Sequence, residues 1–235
     1  MRLFAVGDLH LPGSQNKPMD VFGGHWEGHF CKIAADWAQR VGESDLVLLP
    51  GDLSWAMSFE DAMPDLRAIF ALPGKKVLLR GNHDYWWPAI SRLRAVLPPN
   101  AFVLQNDAVL VGEYAVAGSR GWIIPREGRG DKQDEKIYQR ELMRLELSLK
   151  DAQTRAAGRP IIGMLHYPPS LEGGEKTGFT ELFSAYGAKL AVYGHLHAEG
   201  LAGAFNGPIG GVHYQNVSCD GLGFKLKELR IDAED

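Results

Sequence analysis

Short motifs built from Asp, Asn and His recur along this chain in an order that suits metal binding. They are Gly7-Asp8-Leu9-His10, Gly51-Asp52, Gly81-Asn82-His83-Asp84, His166 and Gly194-His195-Leu196-His197. Carboxylate oxygens, imidazole nitrogens and an amide oxygen suit Mn²⁺, Fe or Zn²⁺, and no Cys adjoins them, which argues against a purely structural zinc site. The number of ligands suits two ions rather than one.

Asp52 is the natural carboxylate for two ions to share, because it is the only acid in its motif. Ions that act together lie roughly 3.5 to 4 Å apart and need such a bridge. A glycine directly precedes a ligand in four motifs, at Gly7, Gly51, Gly81 and Gly194. A residue without Cβ lets the backbone turn sharply and approach the ions.

Most motifs directly follow a short apolar run of the kind that forms a buried strand. These runs cover residues 3–6, 46–49, 77–79, 161–165 and 190–193. Helical patterns over residues 29–41 and 59–71, the second with Ser58 as its N-cap, separate the first three runs. This is the βαβ rhythm of a largely parallel sheet, so we expect the ligands to gather at one sheet edge.

The remaining patterns predict a change from α/β to α+β character. Trp87-Pro88 is expected to open a third helix, and the runs at 102–104, 109–111 and 114–117 predict an antiparallel meander. Residues 131–157 predict one long amphipathic helix, followed by strands over 212–217 and 224–231. With no low-complexity linker or charge block, we expect one domain over residues 1–235.

Composition narrows the classes of function. The 235 residues are 45% hydrophobic and carry a net charge of −4, which gives no support to a broad basic surface for nucleic acid or anionic lipid. Bound ions would make one cleft positive, so a nuclease stays open. Cys31 and Cys219 are expected to be reduced core thiols. Without a signal peptide or membrane-spanning run, a soluble cytoplasmic protein is expected.

In this order the motifs resemble those of the calcineurin-like metallophosphoesterase superfamily. The resemblance spans residues 8–197 and implies a four-layer α/β/β/α sandwich with a dinuclear site. It implies that one ion is held by Asp8, His10, Asp52 and His197, and the other by Asp52, Asn82, His166 and His195. Residues 17–20, with Trp26 and His29, resemble a loop of uncharacterised bacterial phosphohydrolases within the superfamily.

The resemblance also implies a reaction, the hydrolysis of a phosphomonoester or phosphodiester by a hydroxide that bridges two divalent ions. Mn²⁺ is the first choice for those ions, and Fe or Zn²⁺ are the alternatives. His83 would be left off the metals, where it could donate a proton to the phosphoryl or leaving-group oxygen. Asp84 could accept from the His83 ring and set its tautomer.

Candidate substrate contacts are Trp86 and Trp122, which could stack on an aromatic group, and Arg120, whose guanidinium suits phosphate. The favoured role of the indoles is to close the ends of the hydrophobic core, and the segment that holds Arg120, Arg126 and Arg129 could equally be a solvated charged loop. Two loops, residues 11–28 and 126–136, are candidate lids.

Several functions remain as alternatives at this point. A small, soluble, nucleotide-like phosphoester is the favoured substrate, ahead of a nuclease or a phosphoprotein phosphatase. A catalytically silent scaffold that binds other proteins would be expected to have lost ligands, and a mononuclear hydrolase or deaminase would leave several Asp and His residues unexplained. The sequence does not indicate an oligomeric state.

Overall fold

The computed structural model describes residues 1–13, 19–126 and 131–231, and within them the strands form two sheets. In chain order the strands are β1 (Leu3–Ala5), β2 (Leu46–Leu49), β3 (Lys75–Leu78), β4 (Ala101–Val103), β5 (Ala108–Val111), β6 (Tyr114–Ser119), β7 (Ile161–Leu165), β8 (Ala188–Tyr193), β9 (Gly207–Ile209), β10 (Val212–Asn216) and β11 (Lys227–Leu229). The first sheet has the order β11-β1-β2-β3-β4 and the second β5-β6-β7-β8-β10-β9.

Five α-helices connect the strands of the described residues. They are α1 (His29–Arg40), α2 (Phe59–Phe70), α3 (Ile90–Arg94), α4 (Lys132–Arg155) and α5 (Gly178–Ala185). Helix α2 begins as expected, with the Ser58 hydroxyl accepting from the Asp61 amide. Short 3₁₀ turns lie at Met19–Phe22, Gly24–Trp26 and Ala198–Gly203. None of these helices is long and apolar enough to cross a membrane.

Three apolar cores separate four layers, which confirms the predicted α/β/β/α sandwich. Alternate residues of each strand face opposite sides. On β2, Val47 packs into the core shared with α1 and α2, whereas Leu48 packs into the core between the two sheets. On β7, Ile162 joins that same central core, and Leu165 packs into the core shared with α4 and α5.

Parallel pairing puts the ends of the motif-bearing strands at one edge. Strands β1, β2, β3 and β4 pair in parallel, as do β6, β7 and β8. Carboxyl ends of parallel neighbours meet at the same edge, so the loops that follow them converge. The two sheets also join there, through a bridge between Gly7 and Ser218.

The predicted meander is wrong in one respect. Strands β5 and β6 form an antiparallel hairpin, but β4 pairs in parallel with β3 in the other sheet. Helix α3 lies between β3 and β4 in the chain, and a crossover of that kind allows parallel pairing. Asn106 then adopts a left-handed φ of 61° where the chain passes from the first sheet to the second.

Three local predictions also need correction. Helix α3 begins at Ile90 rather than at Pro88, because Ala89 keeps a non-helical ψ of 135° and is the N-cap residue. The predicted strand over 224–231 shortens to β11, since Phe224 turns inward with a φ of 61°. Cys219 is buried as expected, whereas Cys31 is exposed on α1.

Candidate metal centre

The predicted ligands lie on loops that are held together by backbone hydrogen bonds. The Asp8 amide donates to Gly51 O at 3.0 Å, and the His10 amide donates to Asp52 O at 2.9 Å. From the second sheet, the Gly194 amide donates to His166 O at 3.1 Å. These bonds place motifs far apart in sequence side by side.

Four predicted ligands have backbones in the left-handed region. The φ angles are 59° for Asp8, 44° for His10, 52° for Asp52 and 71° for His195. Residues other than glycine seldom adopt such angles, which cost of order 1–3 kcal/mol each and concentrate at functional sites. The surrounding bonds therefore hold these side chains in directions that an ordinary loop would not give.

Asp8, His10 and His197 present ligand atoms that lie within 4.8 Å of one another. The two histidines meet at their Nε2 atoms, 3.3 Å apart, and His197 Nε2 lies 3.7 Å from Asp8 Oδ1. His10 Nε2 is also 3.8 Å from Asp52 Oδ2. The structure thus brings together the four residues predicted to hold the first ion.

Asn82, His166 and His195 form the adjoining group. Asn82 Oδ1 lies 2.5 Å from His166 Nε2 and 3.0 Å from His195 Nδ1, and the two ring nitrogens are 3.3 Å apart. Asp52 Oδ2 lies 3.4 Å from His166 Nε2, so this oxygen faces both groups. Asp8, Asp52 and His166 also present ligand atoms within 4.8 Å of one another. Asp8 Oδ1 lies 3.9 Å from His166 Nδ1, the ring nitrogen that is 3.0 Å from Pro50 O.

The separations between the ring nitrogens match what one ion imposes on its ligands. Atoms about 2.1 Å from a common ion lie roughly 3.0–3.4 Å from each other in octahedral or tetrahedral geometry. The contacts of 3.3 Å between His10 and His197, and between His166 and His195, fall in that range. The donor set of oxygen and nitrogen, with no sulfur, fits a pair of divalent ions such as Mn²⁺, Fe or Zn²⁺.

Glycines permit the close approach, as the sequence predicts. A Cβ on Gly194 would meet Oδ2 of Asp8, and one on Gly81 would meet the amide and carboxylate of Asp52. Gly51 has a φ of 98°, a region that side chains disfavour.

Buried carboxylates crowd the site. Asp8, Asp52 and Asp84 are at most 2% exposed. Burial, followed by repulsion from Asp84 and Asp8, raises the pKa of Asp52 well above its usual range. Burial also acts to raise the pKa of Asp8, but its neighbouring histidines, His197 first, lower it overall. Two divalent cations would offset this concentration of negative charge.

The histidines differ in charge state. Burial lowers the pKa values of His10 and His195 to about 3 and also lowers that of His166, so these rings are neutral and ready to ligate. Burial opposes the charge of His197 as well, but hydrogen bonds to Asp220 and Asp8 raise its pKa to about 10. A metal at Nε2 of His197 would have to displace that proton.

Asp220 is a neighbour of the site that the sequence does not reveal. Its Oδ1 lies 2.9 Å from His197 Nδ1, and its Oδ2 accepts from the Ala198 amide at 3.1 Å. Such a carboxylate fixes the orientation of a ligating imidazole and leaves Nε2 for the ion. The one available signal was its position just after β10, the parallel neighbour of β8.

Asp84 also has a structural role that the sequence does not reveal. Its Oδ1 accepts from the amides of Leu53 and Ser54 and from the Trp86 indole, and its Oδ2 accepts from the amides of Asp52 and Gly81. Asp84 therefore holds the two ligand loops together. Its predicted contact with the His83 ring stays a prediction.

His83 lies beside the predicted ligands. Its backbone amide donates to Asp52 Oδ1 at 2.8 Å, and its ring centroid is 5.8 Å from that of His10. The ring packs against Trp55 at 4.4 Å and Tyr85 at 6.3 Å. The side chain is partly exposed, so it borders the open side of the site.

The three candidate substrate contacts have different surroundings in the structure. Trp86 as a substrate contact is contradicted, because its ring is 2% exposed, bonded to Asp84 and packed on Phe59. Trp122 is partly exposed and lines a cavity that His195 also borders. Arg120 places its guanidinium 4.5 Å over the Trp122 ring, beside buried Glu141.

Parts of both candidate lids lie outside the described residues. The loop at 11–28 is described except for 14–18, and its Trp26 is buried with its ring 5.7 Å from that of His197. In the second loop 127–130 are not described, which includes Arg129, whereas the predicted start of the long helix is confirmed by the Asp131 capping box.

Fold and site together agree with one family, and the chain belongs to it: the family model described as calcineurin-like phosphoesterase matches residues 1–199. Among solved structures, the chain is similar to the protein of unknown function AQ665 from Aquifex aeolicus, at 15% identity and a TM-score of 0.51 over 97% of this chain and 95% of that one. It is also similar to TT1561 of Thermus thermophilus, at 17% identity and a TM-score of 0.54 over 98% of this chain and 99% of that one. These two likenesses bear on the fold alone. No curated protein matches the chain significantly.

Proposed function

We propose that this protein is a metal-dependent phosphoesterase with a dinuclear centre at the edge shared by its two sheets. The observation that carries the proposal is the convergence of seven O and N ligands into two adjoining groups that share Asp52. The first proposed group is Asp8, His10, Asp52 and His197, and the second is Asp52, Asn82, His166 and His195. Asp8 also lies close to Asp52 and His166.

When bound, two divalent ions would polarise the phosphoryl oxygens and activate a water nucleophile. The chain supplies the rest. Asp84 holds the loops of Asp52 and Gly81, so the Asp52 carboxylate, which would be shared by the two ions, stays in place between the two groups. His83, tied to Asp52 through its backbone, is proposed to donate a proton to the leaving oxygen.

The proposed substrate is a small, soluble phosphoester, nucleotide-like rather than polymeric. Net charge is −4, which does not favour long-range attraction of a nucleic acid. A nuclease and a phosphoprotein phosphatase are the alternatives within the same chemistry. A scaffold without activity is the alternative outside it.

The test is turnover by the full chain after metal removal and reloading. The protein is treated with chelator, reloaded separately with Mn²⁺, Fe²⁺ or Zn²⁺, and assayed on mono- and diester chromogenic substrates, nucleotides, a phosphopeptide and single-stranded DNA. We expect hydrolysis only in reloaded samples and fastest on a small substrate. Absence of turnover with every ion on every substrate would favour the scaffold, and fastest cleavage of DNA or the phosphopeptide would replace the proposed substrate class.

A further inference from the structure

A cavity of about 290 Å³ opens beside the candidate metal centre and is bordered by His195. We call it the Trp122 pocket, and its walls include Trp122, Ile124, Arg126, Tyr167, His195 and Leu196. Small-molecule pockets usually measure roughly 300–1,000 Å³, so this one holds a single small group. A polymer segment would need a longer groove.

Aromatic rings lead from the metal centre into this pocket. The Tyr167 ring packs on the His195 ring with centroids 4.1 Å apart and an angle of 34°. The Trp122 ring follows, 5.0 Å from Tyr167 at 48°. Flat, polarisable walls of this kind favour a planar ring over an aliphatic chain, because ring stacking adds to the burial of apolar surface.

Trp122 is held in position by its neighbours. Its Nε1 donates to Asp134 Oδ1 at 3.0 Å, and the Arg120 guanidinium covers its ring at 4.5 Å. Arg120 is itself 3.7 Å from Oε1 of Glu141, which is 1% exposed. A wall that is ordered beforehand loses little freedom when a ligand binds, which favours affinity. Arg120 is therefore a positioning residue for Trp122.

We infer that the Trp122 pocket binds a planar aromatic group of the phosphoester, a nucleobase or an aryl ring, while the phosphate lies at the candidate metal centre. This inference rests on the proposed function for the phosphate half and on the pocket itself for the aromatic half. In this inference Trp122 determines substrate specificity. Arg120 positions Trp122 and does not contact the phosphate directly.

The kinetic test compares an aromatic with an aliphatic substrate. Metal-loaded wild type, Trp122→Ala and Trp122→Phe are assayed on phenyl phosphate and glycerol 3-phosphate, or on the corresponding methyl diesters. We expect Trp122→Ala to lower the phenyl-to-glycerol ratio of kcat/KM about tenfold, mostly through KM, because stacking on one aromatic side chain contributes that order of affinity. Trp122→Phe keeps a ring and should stay within roughly threefold of wild type.

The matched control is Leu147→Ala, which removes a side chain that is 54% exposed on α4. It should leave the substrate ratio unchanged. Circular dichroism and thermal melting of every variant show whether a reduced activity comes from loss of binding in the pocket or from unfolding of the protein. If Trp122→Ala does not fold, Trp122→Leu takes its place with the same expected loss.

A binding test isolates the pocket from the metals. Adenosine, which has an aromatic base and no phosphate for the metals to bind, is titrated into the metal-loaded full chain by calorimetry. We expect wild type to bind at least about tenfold more tightly than Trp122→Ala. Binding that depends on Trp122 without any hydrolysis would support the pocket and contradict the proposed function. Hydrolysis with an unchanged substrate ratio and no adenosine binding would overturn the pocket and leave the proposed function standing.

Discussion

The backbone amide of Asp52 donates a hydrogen bond to Oδ2 of Asp84 across 2.9 Å. The proposed bridging ligand therefore depends on a second carboxylate that is 0% exposed. Asp84 also accepts from the Gly81 amide and so connects the loops that follow β2 and β3. The motif Gly81-Asn82-His83-Asp84 thus contains a proposed ligand, a proposed proton donor and an internal support.

Replacing Asp84 with Asn tests this support. One carboxylate oxygen becomes an NH₂ group that faces N–H donors, so at least two hydrogen bonds are lost in a buried place. We expect the free energy of unfolding to fall by about 2 kcal/mol or more. Urea denaturation measures it, with Glu60→Gln as the control because its carboxylate is 69% exposed and should change stability by less than about 1 kcal/mol. A fully stable Asp84→Asn protein would contradict the role of Asp84.

The shared position of Asp52 predicts a difference in metal content between two variants. Asp52→Asn should lower the affinity for both ions, whereas Asn82→Ala should lower it chiefly for one. Metal content after equilibrium dialysis is expected near two ions per chain in wild type, near one in Asn82→Ala and below one in Asp52→Asn. Equal losses in the two variants would count against a bridge at Asp52.

His83 is expected to act on the reaction and not on metal retention. His83→Ala should keep wild-type metal content but lose roughly 10²- to 10⁴-fold in kcat, as is typical when a general acid is removed. Steady-state kinetics and metal analysis of the same samples give both quantities. His213→Ala, on the exposed face of β10, is the matched control. Unchanged kcat in His83→Ala would remove His83 from the mechanism.

Substitution of Asp220 is expected to lower the metal affinity, although Asp220 is not itself a proposed metal ligand. Asp220→Asn leaves an oxygen near His197 but removes the charge that orients the ring, and such changes typically cost 10- to 100-fold in affinity. Competition with a fluorescent chelator measures the dissociation constant. Glu199→Gln, an exposed acid two residues beyond His197, should change it little. If both variants bind metal as wild type does, Asp220 does not orient His197.

Asp45 gives a prediction for pH that is independent of the metal site. Burial acts to raise its pKa, but hydrogen bonds from the Gly42 amide and from Arg2 outweigh burial and lower it overall. Because the pKa is lower in the folded chain, the carboxylate stabilises the fold above its unfolded pKa of about 3.9 and loses this effect as the pH falls through the folded value.

Wild type and Asp45→Asn should therefore differ most near neutral pH. We expect Asp45→Asn to be about 1–2 kcal/mol less stable at pH 6, with the difference shrinking steadily below about pH 4. Urea denaturation over this range measures both. A difference that stays constant down to pH 2 would show that the Asp45 charge does not stabilise the fold.

The sequence by itself determined the order of most strands and helices along the chain. It also determined that most proposed ligands lie at the ends of strands. Apolar runs such as residues 161–165 have the length of buried strands. A ligand that directly follows a parallel strand must lie at the sheet edge where the carboxyl ends of the strands meet. That is why Asp8, Asp52 and His166, far apart in the chain, were predicted to meet.

Only the tertiary structure decided which partners those residues have. Whether β4 joins β3 or β5 depends on packing between layers, and whether the Trp86 ring faces solvent depends on where Asp84 and Phe59 lie. Asp220 reaches His197 because β10 pairs with β8, a contact that spacing along the chain does not encode. Local pattern specifies which residues enter a loop, and long-range packing specifies what each side chain touches.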